Sequence, residues 1–139
     1  MMKRVFALLF LFTLIWSCDK KDNQVPVPAV DFSMNLSNPS YLNIQSPSGW
    51  VYVNGGSMGI IIYRNSQTEF SAYDRHSPYI VSNRCRVDVD STNFFVLDAC
   101  SKSKFLLTDG SPVSGPAEVS LTTYQTSYNQ NSNVLRVYN

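Results

Sequence analysis

Short apolar runs separated by turn residues recur along most of this chain, and none repeats with a helical period. Val51-Tyr52-Val53 precedes Gly55-Gly56, and Gly59 leads into Ile60-Ile61-Ile62-Tyr63. That β-branched run is too short for a typical helix and reads as a strand buried on both faces. Arg64 to Gln67 forms a turn before Glu69 to Tyr73, where polar and apolar residues alternate. Phe94 to Leu97 and Phe105 to Leu107 read as short buried strands. Ala117 to Leu121 alternates as a strand with one wet face should, and Val134 to Tyr138 closes the set. These elements predict an all-β fold of small antiparallel sheets arranged as a sandwich or barrel.

The first residues follow a different pattern. Lys3-Arg4 is followed by a twelve-residue apolar run, Val5 to Trp16, and then by Ser17-Cys18. A spanning helix needs about 20 such residues, whereas this length suits a signal peptide. Leu14-Ile15-Trp16-Ser17-Cys18 resembles the lipobox of bacterial lipoproteins, with Trp16 bulkier than usual at its position. The resemblance implies cleavage before Cys18, lipidation of its thiol and acylation of the new amino terminus, which together give durable anchoring. The alternative is an ordinary secretory leader that ends in a cysteine. The polar stretch from Asp19 and the prolines of Val25-Pro26-Val27-Pro28 then read as an extended tether. The expected organisation is a signal peptide over 1–17, a lipidated tether over 18–29 and one β domain over 30–139. The expected location is the bacterial cell envelope, at a membrane, on either the periplasmic or the outer surface.

Removing the leader leaves nine basic and ten acidic residues, a net charge of −1. No basic stripe remains for a phosphate backbone, so nucleic acid is not expected as a partner. With Cys18 lipidated, Cys85 and Cys100 are left in an oxidising compartment and read first as a disulfide. A mixed zinc site of His76, Cys85, Asp98 and Cys100 is the alternative, since Zn²⁺ accepts all these donors. His76 is the sole histidine. It is either a base near Asp74, Asp98, Ser77 or Ser101, or a loop histidine bonded to backbone. Gly55-Gly56 with Gly59 reads as a hairpin turn and strand entry, not as a nucleophile elbow or a phosphate-cradling loop. Trp50 and the tyrosines serve either as packing or as a recognition surface for glycan or peptide.

Residues 72–117 are the most informative stretch, and Ser103 to Ala117 its most specific part. A loop from Asp74 to Tyr79 follows one strand, and a loop from Asp98 to Phe105 follows another. Asp109-Gly110, Pro112 and Gly115-Pro116-Ala117 come next. This order resembles the Rieske-type [2Fe–2S] domain, in which two cysteines and two histidines from paired loops hold the irons. The high-potential branch braces those loops with a disulfide. By this resemblance Cys85 and Cys100 take the bracing positions. The first-loop ligands map to His76 and Pro78, and the second-loop ligands to Asp98 and Ser101, so none of the four keeps its family residue. The resemblance therefore implies a Rieske-like domain without its cluster and with no cofactor. Such a domain would be a non-catalytic structural or partner-binding module with an envelope protein partner. The alternative it leaves is a Rieske electron-transfer protein associated with an oxidoreductase.

Overall fold

The computed structural model describes residues 24–139. The expected leader and Cys18 lie outside the described residues. Among the described residues, ten strands form two antiparallel sheets. The larger takes the order β1 (Asp31–Asn35), β10 (Val134–Tyr138), β9 (Thr123–Asn129), β4 (Phe70–Asp74), β3 (Ile60–Arg64), β2 (Trp50–Val53), and it curls into a half-barrel. The smaller runs β5 (Val87–Val89), β6 (Phe95–Asp98), β7 (Lys104–Leu106), β8 (Pro112–Ser114). The remaining regular structure among the described residues consists of two short 3-10 turns, Pro39–Ile44 and Val81–Asn83.

Strand β3 explains why two sheets pack as one body. Every residue of it is buried, and successive side chains enter opposite cores. Ile60 and Ile62 join Met34, Leu36, Phe70, Leu135 and Val137 inside the curl of the large sheet. Ile61 and Tyr63 face the other way, against Val87, Val96, Phe105 and Leu107 of the smaller sheet and its flank. A continuous β-branched run is what a strand wet on neither face requires.

Polar contacts fasten the sheets where apolar packing thins out. Tyr52 on β2 accepts a hydrogen bond from the Val89 backbone N–H of β5 at 2.8 Å, and the Arg75 guanidinium stacks 3.7 Å from its ring centroid. Tyr52→Phe keeps the ring and strands that N–H, so it should lower stability by about 1 kcal/mol in urea titration. An unchanged midpoint would mean that water replaces the hydroxyl there.

Two strand expectations need correction. Ala117 to Leu121 is not a strand. Ala117 and Leu121 are buried while Val119 between them is 65% exposed, so the alternation comes from a loop dipping twice into the core. Phe94, expected in a buried strand, is 64% exposed and lies just outside β6. The Glu69 to Tyr73 alternation does form a strand, β4, buried at Phe70, Ala72, Tyr73 and Asp74. The described part of the proline segment also lies against the body. Val25 is buried, and the Pro28 carbonyl accepts from Asn139 Nδ2 at 2.9 Å.

Candidate functional site

The two loops meet at the end of the smaller sheet. The first leaves β4 and returns to β5. Its base is closed by the His76–Arg86 bridge and by the Ser77 N–H donating to the Cys85 carbonyl at 2.8 Å. The second follows β6 and is a tight reversal, with the Lys102 N–H donating to the Asp98 carbonyl at 2.8 Å. Gly115 lies beside it at φ +90°, where an added Cβ would fall 2.5 Å from the Ser103 Cα. Only glycine lets the 115–117 segment approach that closely.

Cys85 and Cys100 join the loops as a disulfide, with Cα atoms 6.3 Å apart. Next to it is Asp98, 1% exposed. Its Oδ2 accepts from the hydroxyls of Ser77 at 2.6 Å and Ser101 at 2.7 Å. Its Oδ1 accepts from the Cys100 N–H at 2.9 Å. Because the single Ser101 hydroxyl proton goes to Asp98, the 2.8 Å contact between Ser101 Oγ and Ser103 Oγ is made by the Ser103 proton. Ser103 Oγ in turn accepts from the Ala117 N–H at 3.1 Å. The chain of bonds thus runs from the first loop through Asp98 and the second loop to the Gly-Pro-Ala segment.

Opposing influences act on the Asp98 carboxyl. Burial, the largest, pushes its pKa up. Hydrogen bonds from Ser77, Ser101 and the backbone N–H groups of Cys100 and Ser101 together outweigh burial and hold it below the usual carboxylate value. It is therefore ionised at neutral pH.

Of the four positions mapped from the resemblance, Asp98 and Ser101 come together. His76 and Pro78 do not join them. The His76 ring points away from Asp98, with Nδ1 2.9 Å from Ser57 Oγ and Nε2 2.9 Å from the Val81 carbonyl. Pro78, half-buried, has no side-chain donor atom. The first-loop side chain that does reach the centre is Ser77, one residue away from each. Sequence reading missed it because a one-residue shift exchanges which neighbour faces inward. The potential metal donors Cys85, Asp98 and Cys100 lie within 4.8 Å of one another. His76 is not among them, and both sulfurs belong to the disulfide.

A second buried carboxylate organises the far side of the first loop. Asp74 accepts from the backbone N–H groups of Ser57 at 2.5 Å, Met58 at 3.3 Å and His76 at 2.8 Å, and from the Tyr124 hydroxyl at 2.7 Å. Burial and the adjacent Asp74 charge push the Tyr124 phenol above its ordinary range. Gly56 permits this approach at φ +62°, where any side chain would run into Asp74 and Tyr124.

This architecture is similar to that of the plasma-membrane Rieske protein PetC3 of the cyanobacterium Synechocystis PCC 6803. The two are 22% identical over 65% of this chain and 85% of that one, with a TM-score of 0.51. It is also similar to NirD of E. coli, 15% identical over 84% of this chain and 98% of that one, TM-score 0.46. A putative NADH-dependent nitrite reductase small subunit of Mycobacterium tuberculosis is 19% identical over 81% of this chain and 96% of that one, TM-score 0.45. No family profile matches the sequence, and no curated protein does. The fold is Rieske-like.

Proposed function

We propose that this chain is a lipid-anchored envelope protein whose paired loops hold no [2Fe–2S] cluster and act as a structural, partner-binding end without redox chemistry. The observation that carries this reading is the bonding of Asp98. Both of its oxygens are taken up by Ser77, Ser101 and the Cys100 N–H, between the loops and beside the disulfide. The donor set does not fit the cluster, which takes two thiolates and two imidazoles. The one imidazole in the chain bonds elsewhere, and the remaining oxygens already satisfy one another. A fully bonded carboxylate and a covalent bridge can hold two loops in register without metal.

The first loop also bears a feature that packing does not explain. Ile80 is β-branched, held at φ +46° and 42% exposed. Such a conformation is strained for a branched side chain, and an apolar group presented this way suits contact with a protein partner.

Iron and acid-labile sulfide assays on protein purified without reductant should find neither in stoichiometric amount, and the solution should be colourless. Stoichiometric cluster with Rieske-type visible absorption would overturn the reading. For the anchor, fatty-acid labelling of cells should mark the chain and fail with Cys18→Ala.

A further inference from the structure

The sole histidine takes no part in the brace between the loops. His76 is 1% exposed, yet both ring nitrogens are bonded. Because the Val81 carbonyl oxygen can only accept, Nε2 carries the ring proton. In the neutral ring Nδ1 is then a bare acceptor, and the Ser57 hydroxyl donates to it across 2.9 Å. A hydroxyl within reach of a base that a third group orients is the arrangement of an activated nucleophile.

Two further observations give the pair a setting. Asp74 fixes both members through their backbone N–H groups, so the dyad stands on a rigid buried carboxylate. Ser57 is only half-buried and lines a cavity of about 310 Å³ together with Tyr52, Asn54, Arg75 and Arg86. Arg75 is engaged by Asp88 and the Val87 carbonyl. Arg86 is exposed and pairs with no carboxylate among the described residues. The cavity wall is therefore cationic and favours an anionic ligand.

We propose that Ser57 and His76 form an acyl-transfer dyad acting on small esters that carry a negative charge. Ser57 Oγ bonds to the ester carbonyl carbon while its proton passes to Nδ1, and the carbonyl electron pair moves onto oxygen. On collapse the bond to the alkoxy group breaks, and that group leaves as an alcohol with the Nδ1 proton. Water then attacks the acyl-serine by the same route, releasing the carboxylic acid and restoring Ser57. The Val81 carbonyl steadies the imidazolium formed in each half. The N–H groups of Ser57 and Met58 are held by Asp74, so this assignment gives the transient oxyanion to Arg86, which lines the same cavity as Ser57. Neither Asp98 nor the disulfide takes part, and the dyad shares with the reading of the loops only the bonding of His76.

The test is hydrolysis of p-nitrophenyl hemisuccinate, with p-nitrophenyl acetate as the neutral comparison, by the purified full chain. The expected result is saturable turnover with an initial burst, and one succinyl group mapped to Ser57 by peptide mass. Ser57→Ala should lower kcat/KM at least ~100-fold with an unchanged circular dichroism spectrum and thermal midpoint. Arg86→Ala should weaken turnover of the hemisuccinate more than that of the acetate. Hydrolysis that survives in Ser57→Ala, the absence of saturable turnover, or acyl groups scattered over lysines would each overturn the assignment.

Discussion

Replacing Cys85 and Cys100 together with serine should lower the stability of the folded domain by about 3 kcal/mol, the loop-closure value for a bridge of this span. The bridge joins residues 15 apart in sequence, but its effect is concentrated where the fold has little else. Cys100 itself is exposed, as are Ala99 and Lys102. The second loop therefore has little apolar burial to hold it against the first, and its ties are the disulfide and the bonds around Asp98. Urea denaturation of the double variant beside the oxidised wild type gives the comparison, and reducing the wild type with a dithiol should move its midpoint the same way. Equal midpoints in all three would show that the hydrogen bonds hold the loops unaided. Both cysteines should be changed together, because a single replacement leaves a free thiol that can pair with another chain.

The residues that made the fold legible are those whose burial leaves no choice. Ile60 to Tyr63 can only be a strand between two cores, and the structure seats its side chains alternately in both. Strand β9 escaped because Thr123-Tyr124-Gln125-Thr126-Ser127-Tyr128-Asn129 contains one buried residue, Tyr124, and gains its order from ladders with β4 and β10. Tertiary pairing of this kind overrides a polar pattern. Val119 misled in the opposite direction. The alternation around it was real, yet only the Leu121 N–H ties that stretch to neighbouring backbone, at the Gly110 carbonyl 3.0 Å away, so no ladder forms.

The same limits govern the site. Cys85 and Cys100 were legible as a pair because few other roles suit two thiols in the oxidising compartment that the amino-terminal pattern implies. The choice of Ser77 over His76 and Pro78 was not legible, since it depends on which of three adjacent side chains the loop turns inward. Ser57 was harder still. It reaches His76 across 19 positions, from a glycine-rich loop that reads as a plain hairpin turn until Asp74 is seen to gather its N–H groups.

Asp98→Ala should cost about 3 kcal/mol, comparable with loss of the disulfide, because it strands the buried Ser77 hydroxyl, the half-buried Ser101 hydroxyl and an N–H that bonded to a charge. Asp98→Asn should cost about 1 kcal/mol. Its carbonyl oxygen can still accept from the Cys100 N–H, and its amide can donate to Ser77 and Ser101 if their hydroxyls turn to accept. The contrast between the two variants separates the shape of the brace from its charge, and acid titration isolates the charge itself. The fold holds the Asp98 pKa below the 3.8 of an ordinary aspartate. Around that value the unfolded chain binds the proton first, so stability is fully present above it and drains away as pH falls through the lower folded value. Asp31, Asp90 and Asp109 are likewise held below their ordinary value, by Arg136, Thr92 and Ser111 respectively as leading causes. They therefore give wild type and variant a common acid limb. Subtracting the Asp98→Asn curve from the wild-type curve, each measured by urea midpoint from neutral pH to below 3.8, should leave a difference that shrinks as acid is added. A constant difference across that range would mean that the Asp98 charge contributes nothing, and the brace would then owe its strength to hydrogen-bond shape alone.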